Sequence, residues 1–195
     1  MNLLEDARAL LAEFTHDDPG QLALAQEYID FVDRHDDAVW RSCRVGHVTA
    51  SAIVIDESEG QVLLTLHPKV GRWLQLGGHL ESGDTSIVQG ALREVREESG
   101  ISHGRISALP IRLDRHDVPC GRDEQGQPLA SVHWDVQFLV LAPDAVDLVM
   151  SDESDDLAWF SADLQPDVDA SVRALVADAQ GWRDSDERRS WLIFG

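Results

Sequence analysis

Three glutamates near the middle of the chain have the spacing that metal chemistry requires. Glu94, Glu97 and Glu98 occupy positions i, i+3 and i+4 of a helix predicted over residues 87–99, so they share one helical face. Like charges at this spacing repel one another, whereas Mg²⁺ or Mn²⁺ prefers such a cluster of oxygen ligands. Arg93, four residues before Glu97, can hold that carboxylate in place. The alternative is an acidic helix face that is simply solvated.

The glutamates belong to a longer pattern of fixed positions. Its sequence, GGHLESGDTSIVQGALREVREESGI from residue 77 to residue 101, resembles the signature box of the Nudix hydrolases. The matching residues are Gly78, Arg93, Glu94, Val95, Glu97, Glu98, Gly100 and Ile101. The resemblance implies an α/β (α+β) fold, the α/β/α sandwich of that family with a mixed sheet. It also implies an enzyme that uses Mg²⁺ (or Mn²⁺) and activated water. Such an enzyme would cleave a diphosphate linkage in a nucleoside-diphosphate-linked or related small substrate.

The resemblance also implies roles for the residues of the box. Arg93, Glu94 and Glu98 form the implied catalytic set. Glu94, Glu97 and Glu98 are the implied metal ligands, and Glu94 is either a ligand or the base that activates the attacking water. Two additional ligands are expected: His79 from the box loop, and Glu153 from a later loop that otherwise is an exposed acidic turn.

One position departs from the family pattern. The position of the family's first glutamate is occupied by Asp84, and eight residues rather than seven separate it from Arg93. The extra residue falls near Thr85 and Ser86, where the helix is predicted to begin, so the glutamates keep their mutual spacing. A ligand role for Asp84 therefore stays open.

A second set of residues is expected to bind the substrate: Arg72, Gly77, Gly78, His79, His47 and His133. Arg72 stands beside Trp73 and can hold a phosphate or stack on a base, although a turn arginine next to a core tryptophan fits equally well. The two glycines allow the backbone to approach a ligand closely. In the strand predicted over 131–142, alternation places His133 and Asp135 on the face opposite to the apolar residues.

Two other functions remain open. The run from Gly77 to His79 resembles the Cys-Gly-His of isopentenyl-diphosphate isomerases, which share the fold and bind metal through histidines and glutamates. His47 opens a strand at a comparable place, but Gly77 replaces the cysteine that the isomerase needs for proton transfer. The other function is a non-catalytic Nudix module that senses a nucleotide. Such modules usually have a degraded box, whereas the core of the box is intact here.

Composition excludes several classes of protein. The 195 residues include 36 Asp and Glu against 16 Lys and Arg, a formal net charge of −20 that repels nucleic acid. Apolar runs stay below the ~18 residues of a membrane span, and the N-terminus lacks the basic start of a secretory signal. Two cysteines, Cys43 and Cys120, cannot form a disulfide scaffold and receive no role. We therefore expect a cytoplasmic protein without nucleic-acid or membrane partners. Because dimers are common in the family that the box resembles, a homodimer is also expected.

Hydrophobic periodicity predicts the elements that position these residues. Residues 1–45 are predicted to be a helical extension packed on the core, with helices over 3–14 and 19–35 and a short third helix at Trp40. Residues 46–165 form the predicted Nudix domain, in which Ser86 and Gly100 cap the box helix. Residues 166–195 add a C-terminal helix over 167–179 and a tail to that domain. The predicted strands cover 47–55, 61–67, 73–77, 111–118, 131–142 and 157–160.

Overall fold

The computed structural model describes residues 2–122, 125–143, 147–151, 154–163, 168–184 and 190–195. These ranges contain four helices: α1 (Leu3–Glu13), α2 (Pro19–Arg34), α3 (Ile87–Ser99) and α4 (Ala170–Asp184). They also contain nine strands: β1 (His47–Asp56), β2 (Val62–His67), β3 (Arg72–Leu74), β4 (Leu76–His79), β5 (Gly104–Ser107), β6 (Arg112–Arg122), β7 (Pro128–Ala142), β8 (Asp156–Phe160) and β9 (Trp191–Phe194).

The strands form one mixed sheet around a long parallel pair. β1 and β7 run side by side from the His47–His133 pair to the Asp56–Ala142 pair. The main strand order is β3-β2-β1-β7-β5-β9, and β4, β6 and β8 pair antiparallel with β1, β7 and β2. β1 pairs with β2 near its end and with β4 near its beginning, so the sheet divides along this strand.

Helices pack on both faces of the sheet, because successive residues of a strand point to opposite faces. Val48, Ala50 and Ala52 of β1 belong to a core that α1, α2 and α3 cover. Ile53 and Ile55 belong to a second core, which α4 covers on the other face. The prediction of a mixed sheet between helices is therefore confirmed.

Hydrogen bonds as well as apolar packing join the N-terminal helices to the rest. The hydroxyl group of Tyr28 in α2 is buried, 2.6 Å from the carbonyl oxygen of Asp114 and 2.9 Å from that of Asp135. A carboxylate oxygen of Asp6 in α1 accepts a hydrogen bond from the backbone N–H of Ile87 (2.7 Å). Thus α1 helps to fix the start of α3. Among the helices in these ranges, not one combines the length and the apolar character that crossing a bilayer requires.

Three parts of the chain differ from the sequence prediction. The prediction of a short third helix at Trp40 was wrong, because residues 36–42 form turns. The carbonyl of Ala38 accepts a hydrogen bond from the N–H of Val48 (2.7 Å) instead of one from a following helical turn. The strand predicted over 73–77 is two strands, because β3 pairs with β2 and β4 pairs with β1. β5 and β9, which pair with each other, were not predicted.

Candidate functional site

Hydrogen bonds fix both ends of α3, the helix that carries the three glutamates. At its start, Ser86 Oγ accepts an N–H of the first turn (3.2 Å), and Asp6 accepts the N–H of Ile87. At its end, Gly100 has φ +75°, a left-handed conformation that favours glycine, and its N–H donates to a carbonyl of the last turn. The helix has the predicted bounds, so the three glutamates share one face.

Arg93 connects the carboxylates of the box with the loop before it. Its Nη1 donates to Glu94 Oε1 (2.9 Å) and Glu97 Oε2 (3.0 Å), while Nε and Nη2 donate to the carboxylate of Asp84 (3.1 and 3.2 Å). Nη2 also donates to the backbone carbonyl of His79 (2.7 Å). Burial alone would lower the pKa of Arg93, but the hydrogen bonds to Asp84 and the charge of Glu94 raise that pKa above its usual value. The guanidinium therefore stays charged and holds the loop against the helix.

Asp84, the residue that departs from the family spacing, lies beneath this guanidinium. Its side chain is only 5% exposed, and Oδ2 also accepts the backbone N–H of Glu81 (2.8 Å). Both carboxylate oxygens are therefore engaged within the loop and the helix. This geometry makes Asp84 a residue that positions Arg93, a role that its spacing in the sequence did not indicate.

The box glutamates differ in solvent exposure, and the less exposed one, Glu94, lies against Gly78. The side chain of Glu94 is 13% exposed, whereas that of Glu97 is 58% exposed. A Cβ atom on Gly78 would lie 2.6 Å from Glu94 Oε1, so this carboxylate rests directly against the glycine backbone. Gly77 serves a different contact, because a Cβ atom there would lie 2.3 Å from Cβ of Ser51 on β1.

The predicted histidines lie on the other face of the sheet. Gly78 faces α3, so His79, the next residue of the same strand, points away from the glutamates. The ring of His79 is 4.9 Å from that of His47 and 5.1 Å from that of His133, centroid to centroid, and the latter two rings are 4.9 Å apart. The structure therefore places His79 with the other two histidines rather than with the glutamates.

Cys120 joins this group of histidines. Its Sγ lies 3.8 Å from His79 Nε2 and 4.0 Å from His47 Nε2. We call His47, His79, His133 and Cys120 the histidine–cysteine cluster. Sequence reasoning missed Cys120, which is 73 residues from His47. The available signal was the hairpin formed by the two strands predicted over 111–118 and 131–142. Their pairing sets His116 opposite His133, so the chain that joins them lies near the histidines.

A buried polar network lies beside the cluster on the same face. The carboxylate of Asp135 accepts from Thr49 Oγ1 (2.9 Å), Ser51 Oγ (2.5 Å), Gln137 Nε2 (3.0 Å) and Gln75 Nε2 (3.3 Å). Burial raises the pKa of Asp135, and these hydroxyl and amide donors oppose the rise. The network ties β1, β7 and the residue between β3 and β4 together, next to the histidines.

Two other predicted site residues belong to neither group. Arg72 is exposed on β3, where it pairs with His67 of β2, and β2 separates it from β1. Its neighbour Trp73 packs edge-on against Phe160 (4.7 Å between ring centroids), so this tryptophan belongs to the second core. Glu153, the predicted additional ligand, lies outside the described residues.

Comparisons with known proteins identify the family and the fold. The NUDIX domain family matches residues 46–178, and a search of curated proteins finds no match. A NUDIX family hydrolase from Clostridium perfringens superposes with a TM-score of 0.52 at 19% identity, covering 70% of this chain and 97% of that one. The Escherichia coli dihydroneopterin triphosphate pyrophosphohydrolase gives 0.51 at 20% identity, with 66% and 91% covered. At these identities the likeness shows the fold.

The family match extends over more than half of the chain, from the turn before β1 into α4. It includes α3 with its three glutamates and the loop that Arg93 holds in place. Nudix hydrolases generally use divalent metal ions. On the family match, supported by this fold, the chain belongs to the Nudix family and is a hydrolase.

Proposed function

We propose that this enzyme hydrolyses a diphosphate linkage in a nucleoside-diphosphate-linked or related small molecule, with Mg²⁺ or Mn²⁺ held by Glu94, Glu97 and Glu98. The observation that carries the proposal is the cluster of carboxylates on one face of α3, held by a single arginine. Arg93 contacts two of these glutamates and the loop carbonyl of His79. Two structural elements are thereby joined where the cation would bind.

The charge of this cluster fits a divalent cation. With Asp84 of the preceding loop included, the four carboxylates (Asp84, Glu94, Glu97 and Glu98) carry four formal negative charges and Arg93 one positive charge, which leaves an excess of three negative charges (4 − 1). Carboxylate oxygens are the ligands that Mg²⁺ and Mn²⁺ prefer. Glu153 remains a proposed additional ligand.

The residues of the box are proposed to have different roles in hydrolysis. Glu94, the largely shielded glutamate against Gly78, either binds the cation or removes a proton from the attacking water. Glu97 and Glu98 bind the cation from the same helical face. When bound, the cation neutralises the diphosphate and lowers the pKa of a coordinated water. Arg93 keeps Glu94 and Glu97 at fixed positions, which matters because catalysis is sensitive to displacements of about 1 Å.

The substrate is proposed to be a small anion rather than a nucleic acid. The net charge of −20 repels a phosphate backbone, so a diphosphate would approach only where cations are concentrated. Gly77 and Gly78 of the box are proposed substrate contacts, and so is Arg72, which lies apart from the box on β3. His47, His79 and His133 are proposed contacts only for a substrate that reaches across to the other face of the sheet.

An activity panel tests the proposal. The protein is incubated with Mg²⁺ or Mn²⁺ and with nucleoside triphosphates, nucleotide sugars, ADP-ribose, dinucleoside polyphosphates or isopentenyl diphosphate. Water labelled with heavy oxygen, with the products analysed by mass spectrometry, reports which phosphorus is attacked. We expect metal-dependent cleavage of one substrate class. An isomerised isopentenyl diphosphate, or tight ligand binding without turnover, would contradict the proposal.

Substitutions then test the assigned ligands. Glu97→Gln and Glu98→Gln keep the size of the side chain but remove a negative charge, so we expect both to abolish turnover without unfolding the protein. Glu59→Gln, in the exposed turn after β1, is the matched control and should keep full activity. Full activity of the double variant Glu97→Gln/Glu98→Gln would refute the assignment.

A further inference from the structure

We propose that His47, His79, His133 and Cys120 form a second metal site, which binds a late first-row divalent cation such as Zn²⁺. This site lies on the face of the sheet opposite to the glutamates of α3. It does not depend on the proposed Mg²⁺ cluster, because its four residues lie away from Glu94, Glu97 and Glu98, and the side chain of His79 points away from Glu94. If it forms, His47, His79 and His133 bind this cation rather than the substrate.

Strand pairing brings the three histidines together. His47 and His133 are direct partners in the parallel β1–β7 pair. His79 pairs with Thr49 on the other side of β1, and residues paired in register share a face. Three imidazoles from three adjacent strands therefore converge at the end of the sheet where β1 begins.

Cys120 completes the group because the end of β6 bends over the sheet. β7 and β1 lie between β6 and β4, which would separate those two strands by about 14 Å in a flat sheet. Cys120 Sγ is nevertheless 3.8 Å from His79 Nε2. The bend coincides with the irregular register between Pro119 and Arg122. The thiol of Cys120 therefore lies over β7 and β1, opposite the imidazoles.

Two of the distances between donor atoms, both measured from Cys120 Sγ, are close to those of a tetrahedral site. One ligand atom from each residue can be chosen so that all four lie within 4.8 Å of one another. Bond lengths of about 2.0–2.1 Å to nitrogen and about 2.3 Å to sulfur place tetrahedral zinc ligands about 3.3 to 3.6 Å apart. The distances from Sγ of 3.8 and 4.0 Å need a contraction of only a few tenths of an ångström.

The cluster contains a buried imidazole nitrogen whose lone pair has no partner. Within the described ranges, His133 Nε2 is buried without a hydrogen-bond partner, and His47, whose Nε2 is the atom near Cys120, is only 1% exposed. An imidazole nitrogen with an unused lone pair is the form that binds a metal.

The chemistry of the donors separates this cation from the one at the glutamates. Imidazole nitrogen and thiolate sulfur select Zn²⁺ and its neighbours in the first transition row, whereas carboxylate oxygen suits Mg²⁺ and Mn²⁺. Four protein ligands fill a tetrahedral coordination shell, so the cation has a structural role. It would hold the end of β6 against β1, β4 and β7.

Cobalt spectroscopy tests this site directly. The full chain is stripped with a chelator, supplied with excess Mg²⁺ and titrated with Co²⁺, which reports a thiolate ligand through a charge-transfer band in the near ultraviolet. We expect a single equivalent of Co²⁺ to produce the band and Zn²⁺ to displace it. Cys120→Ser and His133→Gln should lose the band.

Two matched controls use neighbours of the same residue types. His116 lies next to His133, with a ring distance of 5.4 Å, but its Nδ1 is already paired with Asp114 Oδ2 (2.6 Å), so His116→Gln should keep the band. Cys43, the other thiol, belongs to a separate group with His35 and Asp37, and Cys43→Ala should also keep the band. Absence of the band from the unmodified protein, its persistence in Cys120→Ser, or its loss in Cys43→Ala would each overturn the proposal.

Two further measurements keep the test decisive. Glu97→Gln should lose hydrolysis yet keep the cobalt band, so the failure of one proposal is distinguishable from the failure of the other. If Cys120→Ser does not fold, alkylation of the unmodified chain replaces it: iodoacetamide should modify Cys120 more slowly with Zn²⁺ than without it, since a bound thiolate is shielded. Equal rates would overturn the proposal.

Discussion

Replacing Gly78 with alanine tests the contact between the box loop and Glu94 without changing any charge. The new Cβ atom would lie 2.6 Å from Glu94 Oε1, whereas ordinary contacts begin at 3.4 Å, so the carboxylate must retreat by about 0.8 Å (3.4 − 2.6). Displacing a catalytic group by about 1 Å can lower the rate on the order of 100-fold. We therefore expect kcat/KM to fall by roughly 100-fold, about 2.7 kcal/mol in transition-state free energy.

Stability should change little in this variant, and this separates displacement from unfolding. The backbone of Gly78 is not in the left-handed region, and the atom in conflict is the end of a flexible side chain. We expect the free energy of unfolding to change by less than about 1 kcal/mol.

The assay is steady-state hydrolysis of the substrate that the panel identifies, combined with thermal unfolding. Gly83→Ala is the matched control, because a Cβ atom on Gly83 meets nothing within 4 Å and should leave the rate unchanged. If Gly78→Ala has the rate of the unmodified enzyme while Glu94→Gln is inactive, the reasoning from this contact is refuted. If both variants are active, the role of Glu94 in the proposed function fails instead.

Three substitutions outside the glutamate face test how the fold supports it. Asp84→Asn removes the charge that Arg93 meets at Nε, and urea unfolding should show a loss of about 1–3 kcal/mol. Tyr28→Phe removes the hydroxyl group that contacts two strand carbonyls, one of them buried, and should cost about 1 kcal/mol in the same measurement. Because burial raises the pKa of Asp6, the folded state holds a proton there more tightly than the unfolded chain does. The unmodified protein should therefore gain stability relative to Asp6→Asn as the pH falls from neutral towards 3.8, and a constant difference between the two unfolding curves would contradict this.

The bounds of α3 could be predicted because local residues determine them. Ser86 binds a backbone N–H one turn later, and Gly100 takes the left-handed conformation, so both signals lie within a few residues of the helix ends. The same holds for the shared face of the glutamates. A helical face can be predicted from the residue spacing within one segment, without any contact to distant parts of the chain.

Other features could not be predicted, because they depend on contacts between segments that are distant in the sequence. β9 pairs with β5, some 85 residues earlier in the chain, and each strand is only four residues long, as in the pair Ser107–Trp191 (191 − 107 = 84). Cys120 meets its histidines only because β6 bends over the sheet. The short helix expected at Trp40 fails for a related reason, since Ala38 gives its carbonyl to β1.

The arrangement of β4 has a consequence for how the chain tolerates insertions and deletions. Gly78 and His79 are adjacent, yet one faces Glu94 and the other faces Cys120. A single residue gained or lost within this strand would exchange the two faces, setting an imidazole against the glutamate and leaving a gap among the histidines. A residue gained after Asp84 disturbs neither face, because the chain there runs through a loop before α3 begins. The extra residue of this box lies in that tolerant segment, where length can vary while both groups of side chains keep their positions.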